Sequence, residues 1–155
     1  MTDSTGQRQL QVIEDTQGLI KRHGWALIGV FPAEGDTGQP FTYTVGLTAQ
    51  FLPELVVYGL DQHSAAALLN TVAANMVAAG ELKAGDRLTD VLTDGRALAV
   101  IDLDPADAAD LAMVHNIYGT VLSARQVIWP DPDGKFPWEK WKSAVPQKLS
   151  GEPPF

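Results

Sequence analysis

Apolar residues recur at Leu10, Ile13 and Ile20 among charged positions, which predicts an amphipathic helix over residues 8–22, stopped by Gly24. The pattern then changes period. WALIGVF (25–31) is nearly continuous in apolar residues and predicts a strand buried on both faces. PAEGDTGQP (32–40) is dense in Gly, Pro and Asp and predicts a loop. FTYTVGL (41–47) alternates aromatic or apolar residues with threonine, as a half-buried strand does, and ELVVYGL (54–60) is a second strand rich in β-branched residues. The two are expected to pair as an antiparallel hairpin.

The stretch DQHSAAALLNTVAANMVAAG predicts the longest helix. Asp61 or Ser64 caps it, Leu68, Leu69, Val72 and Met76 form one stripe, and Gly80 ends it. ALAVIDL (97–103) follows as a buried strand after an Asp94-Gly95 turn. Asp104-Pro105 then opens a helix running to about Tyr118, and VLSARQVIW (121–129) is the last strand. This order predicts an α+β fold: a mixed, mainly antiparallel sheet of about five strands packed with three helices, or a half-open barrel. Residues 1–9 are expected to be loose, 10–141 to form one domain, and 142–155 to be a proline-containing tail that wanders or packs loosely.

Composition narrows the function classes. With 19 acidic and 11 basic residues the formal charge is −8, which disfavours phosphate backbones and anionic lipid. Neither a nucleic-acid nor a membrane partner is expected. A small molecule or a protein is the expected partner, and a homodimer is compatible with the sequence. The absence of cysteine excludes disulfides, thiol catalysis and zinc–thiolate sites. No apolar run approaches the roughly 20 residues of a membrane helix, and the N-terminal residues lack a signal-peptide core, so a cytoplasmic protein is expected.

Candidate chemistry is sparse. No GxGxxG, Walker A, HExxH or GxSxG pattern occurs, and Asp131-Pro132-Asp133-Gly134 lacks the later ligands of a calcium loop, so no metal is expected. His23 and His115 sit near helix C-termini. His63 is different: it lies in the first turn of the long helix, where a neutral ring beside free N–H groups can meet an anionic or carbonyl group. It is the best candidate for a catalytic residue, acting as general base or hydrogen-bond donor. VIWPDPDGKFPWEKW (127–141) holds three of the four tryptophans around a Pro-Asp-Gly turn. It reads as a corner closing the core, or as an aromatic wall for a flat ligand.

HGWALIGV (23–30), PFTYTVGLTAQFLPELVVYGL (40–60) and VIWPDPDGKFPWE (127–139) together resemble the bacterial family called Domain of Unknown Function 4262. That resemblance spans roughly residues 10–140 and implies kinship of fold without an activity. A looser similarity links GLDQHSAAALLN (59–70) to flavin-binding split-barrel proteins, which implies a flavin as the alternative cofactor. The basic phosphate clamps of such proteins are missing between Arg22 and Lys83, leaving Arg87, Arg96 or Arg125 for the task. The expected function is a small-molecule or partner-binding module. Its cleft would lie between the YTVGL hairpin, the helix start at residues 62–64 and the tryptophan-rich turn. Tyr43, His63, Trp129 and Trp138 would line it, with Arg125 as anion partner. The alternatives are an enzyme using His63 in the same cleft, and an interaction module acting through the acidic helix and the tail.

Overall fold

The computed structural model describes residues 4–33, 35, 38–143 and 145–151. Helix α1 (Ser4–His23) leads into a three-stranded antiparallel meander of β1 (Ala26–Val30), β2 (Phe41–Val45) and β3 (Glu54–Tyr58), with a 3-10 turn at Leu47–Gln50. Helix α2 (Gln62–Ala79) follows, then β4 (Arg87–Leu88), β5 (Leu98–Asp102), α3 (Pro105–Ala108), α4 (Ala112–Tyr118) and β6 (Ala124–Ile128). Strand β6 inserts between β3 and β5, so the sheet order is β1-β2-β3-β6-β5-β4. The β3–β6 pair is parallel and the others are antiparallel. This is the α+β class with a mixed, mainly antiparallel sheet. It is an open sheet rather than a half-open barrel, with β1 and β4 at its two ends.

The two faces of the sheet are covered differently. Leu55, Val57, Leu98, Val100, Val127 and Trp129 pack under the α2 stripe of Leu68, Leu69, Val72 and Met76. On the other face Tyr43, Val45 and Val56 lie beneath α1 and α4 through Ile13, Ile20, Leu111 and Val114. There Ala99, Ile101 and Ile128 are covered by Phe136, Trp138 and Leu149 of the C-terminal segment. Each such aliphatic side chain taken fully from water stabilises the fold by about 1.5–3 kcal/mol.

Several expectations need correction. The sheet has six strands, close to the about five expected; the added one, β4, spans two residues, too short a stretch to show alternation. The helix expected over 104–118 is broken into α3 and α4. Leu111 leaves helical geometry at φ −83, ψ 62 and is fully buried, and an unbroken helix would not drop it into the core. Four helices therefore stand where three were expected. Residues 4–9 belong to α1 rather than to a loose end, since Gln and Arg extend a nucleated helix at little cost; residues 1–3 lie outside the described ones. WALIGVF is an edge strand, exposed at Gly29, Val30 and Phe31, and not buried on both faces. Conversely Thr42 and Thr44, expected on a wet face, are buried.

The C-terminal segment is tied down. Gln126 Nε2 donates to the Lys148 carbonyl at 2.6 Å and Ser150 N donates back to Gln126 Oε1 at 2.7 Å. Lys148 Nζ lies 2.6 Å from Asp107 Oδ1. Of the two expectations for the tail, wandering or loose packing, the described residues show packing, along β6 as far as Gly151. Residues 144 and 152–155 lie outside the described ones.

Candidate functional site

The quoted motifs meet at three buried corners. In the first, the Glu54 carboxylate accepts from Thr44 Oγ1, the N–H groups of Gly46, Leu47 and Thr48, and Thr48 Oγ1, at 2.6–3.2 Å. One acid thereby satisfies the donors at the start of the 3-10 turn, which no cap residue of its own supplies. In the second, Trp129 Nε1 donates to the Tyr58 carbonyl at 2.8 Å. Gly59, at φ 88, lets the indole close on the chain: a Cβ there would stand 3.3 Å from Trp129 Cζ2 and 2.7 Å from the Pro146 carbonyl. Trp141 packs against Trp129 with ring centroids 5.1 Å apart.

The third corner is Asp131. Its Oδ1 accepts from Asp133 N and Lys135 N, and its Oδ2 from Lys142 N, all at 2.8–2.9 Å. Burial by its own turn pushes the carboxyl up, but those three N–H groups and the Lys142 charge outweigh it and hold the carboxyl below the usual range. The Asp131 carbonyl accepts from Arg96 Nη1 at 2.7 Å. Arg96 Nε in turn donates to Asp94 Oδ2 at 2.6 Å, so one guanidinium ties the 91–96 loop to the tryptophan turn.

Between the Trp129 and Asp131 corners and α2 lies an open cleft of about 330 Å³. Leu60, Leu68 and Leu92 supply apolar wall, and Trp129 with Pro130 closes one side. Ser64, Thr71, Thr93 and Arg96 contribute polar atoms. The helix turn places Ser64, Ala67, Leu68 and Thr71 on one face, because positions three, four and seven apart share a side. Asp61 caps the helix start, its Oδ2 accepting from Ser64 N at 3.1 Å, and bonding from Ser64 holds the Asp61 carboxyl below its usual value.

Of the residues expected to converge, Trp129 lines this cleft and His63 is exposed beside Ser64 at the helix start. Tyr43 lies on the opposite face of the sheet. Its hydroxyl accepts from Met113 N at 2.9 Å, capping α4, and burial raises its pKa despite that N–H. Arg125 is paired with Asp102 at 2.6 Å across β5 and β6, four residues along the strand from Trp129. That spacing corresponds to about 13 Å. Trp138 stacks on Phe136 at 5.0 Å on the far face, with the Arg87 guanidinium 4.6 Å above the Phe136 ring. Sequence reasoning named Arg96 only as a possible phosphate partner and missed Leu92 and Thr93, because nothing local says which way a loop after a two-residue strand turns. Thr71 was readable, seven positions after Ser64.

Among the described residues no serine hydroxyl is hydrogen-bonded to a histidine, and His115 Nε2 lies 3.1 Å from the Ala108 carbonyl. Among the described residues no three histidine, aspartate or glutamate side chains are grouped to hold a metal ion. No described helix is long and apolar enough to cross a membrane. The cleft can offer an aromatic wall, an apolar floor and a few polar groups.

No curated protein matches the chain. No solved structure matches it either. One family does: the Domain of unknown function (DUF4262) matches residues 19–143, which contain Glu54, Trp129 and Asp131. The chain belongs to that family.

Proposed function

We propose that the protein is a small-molecule-binding module and that its site is the cleft between α2, the 91–96 loop and Trp129–Pro130. The observation that carries this reading is the joint presence of an apolar, aromatic-walled recess and a few polar groups at its lining, the usual make-up of a ligand site. At about 330 Å³ the recess is at the small end of ligand pockets, which run from about 300 to 1,000 Å³. Arg96 is already neutralised by Asp94, so the cleft favours a neutral or singly charged ligand over a phosphate dianion. The preferred ligand is small, planar and mostly apolar, with one acceptor group facing Arg96 and the threonines. In this reading Trp129 is the wall and His63 sits at the rim. Tyr43, Arg125 and Trp138 support the frame from outside the cleft.

The test combines native mass spectrometry of freshly purified protein with a thermal-shift screen of aromatic fragments. Ala67 is exposed on α2 and lines the cleft. Ala67→Trp fills the space, so fragments that raise the melting temperature of the natural chain should leave the variant unmoved. Fragments that stabilise both proteins equally would place binding elsewhere.

A further inference from the structure

Strand β1 ends the sheet, and its composition is not that of a protected edge. Exposed edges are ordinarily blunted by shortness, charge, proline or bulges. The opposite edge follows that rule, since β4 is two residues long and begins with Arg87. β1 does not: ALIGV runs five residues with no charge or proline, flanked by Trp25 and Phe31. Val30 and Phe31 are 39% and 44% exposed. The Phe31 ring lies over Gly29, where a Cβ would fall 2.7 Å from Cε2, so even the solvent end of the strand is apolar. Beside the edge is a recess of about 550 Å³, bounded by Leu19 and His23 of α1, residues 25–27 and Asn70 of α2.

Helix α1 adds a pattern of charge. Ile13, Thr16 and Ile20 face the protein, while Val12 and Leu19 are exposed. Asp15 stands one turn before Leu19 and Arg22 one turn after it, around the depression that Gly18 leaves. Asp15 Oδ1 accepts from Gln11 within the helix, and among the described residues neither Asp15 nor Arg22 is in an ion pair.

An acid–leucine–base row is complementary to its own reverse. Turned about a two-fold axis, Asp15 of each copy meets Arg22 of the other, and each Leu19 lies against the other copy's Gly18–Leu19 step. β1 is complementary to itself in the same sense, in antiparallel register about Ile28. The two centres stand at similar distances along the chain from the α1–β1 turn. The midpoint of residues 18 and 19 is about 7 Å back along the helix from His23. Ile28 is about 7 Å along the strand from Ala26. An isologous interface requires one axis to serve both elements.

We propose that a second copy of this chain docks antiparallel on β1, joining the two sheets and setting Leu19 between reciprocal Asp15–Arg22 pairs. An extended peptide would satisfy the strand edge but leave Leu19 and the two charges unmatched. A second copy answers both.

Sedimentation velocity of the full chain across the micromolar range tests this. The natural protein should be dimeric. Asp15→Arg and Arg22→Asp should each weaken association by about tenfold or more, by setting like charges opposite one another. The double variant Asp15→Arg/Arg22→Asp should restore it. Hydrogen exchange of the β1 amides supplies a readout free of substitutions, with protection that grows with protein concentration. A monomer at all concentrations, a dimer indifferent to the single swaps, failure of rescue in folded variants, or β1 exchange independent of concentration would overturn the proposal.

Discussion

Gln147 exchanges two hydrogen bonds with the backbone of Trp129: Trp129 N donates to Gln147 Oε1 at 3.0 Å, and Gln147 Nε2 donates to the Trp129 carbonyl at 2.9 Å. One side-chain amide thus plays the part of a neighbouring strand where β6 has run out of partners. Gln126 repeats the device with Lys148 and Ser150. These two glutamines, rather than apolar burial alone, hold the C-terminal segment to the sheet.

Gln147→Leu should therefore destabilise the protein by about 1–3 kcal/mol, because both Trp129 backbone groups stay buried and lose their partners. Urea unfolding monitored by tryptophan fluorescence measures it. An unchanged midpoint would mean that water replaces the amide.

At Gly46 two constraints coincide. Its φ is 124, and an added Cβ would lie 2.9 Å from both the Gly24 carbonyl oxygen and Trp25 Cα. Backbone atoms cannot swing aside as a side-chain tip can. Gly46→Ala should cost at least about 1–3 kcal/mol from the dihedral alone, with the clash added. Gly134→Ala has a comparable φ of 81 but open space around it, so it should cost less. Thermal melts of the two variants separate strain from clash.

Glu54 offers a third check. Glu54→Gln keeps the shape but leaves one acceptor oxygen for five donors, two of them hydroxyls that can turn away. The expected loss is about 2 kcal/mol or more. Thr48→Ala, which removes only one of the five bonds, should cost about 1 kcal/mol. Guanidinium titration distinguishes them, and equal losses would show that the Glu54 network does not depend on its charge.

Asp131 makes stability depend on acid in a defined direction. Its folded carboxyl lies below the ordinary value that an unfolded chain shows, so it adds stability wherever the unfolded carboxyl is ionised. That contribution is fully present above the ordinary carboxylate range. It is lost as the pH falls through that range toward the folded value. The stability gap between the natural chain and Asp131→Asn should be constant near neutrality and narrow under acid. A gap that widens under acid would contradict the depressed carboxyl.

Local signals carried most of the fold. The caps at Asp61 and Asp104, the stop glycines at 24 and 80, and the spans of β2 and β3 are short-range chemistry, and each occupies its expected place. Two elements escaped for physical reasons. β4 is too short for a period to show, and the break at residues 109–111 exists because Leu111 is drawn into a core built by distant residues.

The tryptophan-rich stretch shows the same division for the candidate site. Its turn chemistry and aromatic weight were plain in the chain, and Trp129 is both a buried anchor and a cleft wall. Which neighbours share that cleft depends on the face each strand presents, and a one-residue step reverses that face. Tyr43 and Trp129 consequently fall on opposite sides of the sheet, while Arg96 arrives from a loop with no periodicity of its own. By itself the sequence determined the class of fold, the caps and glycine stop of the long helix, the hairpin and the weight of the aromatic corner, because these rest on contacts a few residues apart. Tertiary structure alone decided that β6 enters beside β3, that two glutamines bind the tail, and that β1 is left as an edge. Those outcomes depend on pairings between segments far apart in the chain, which no local pattern encodes.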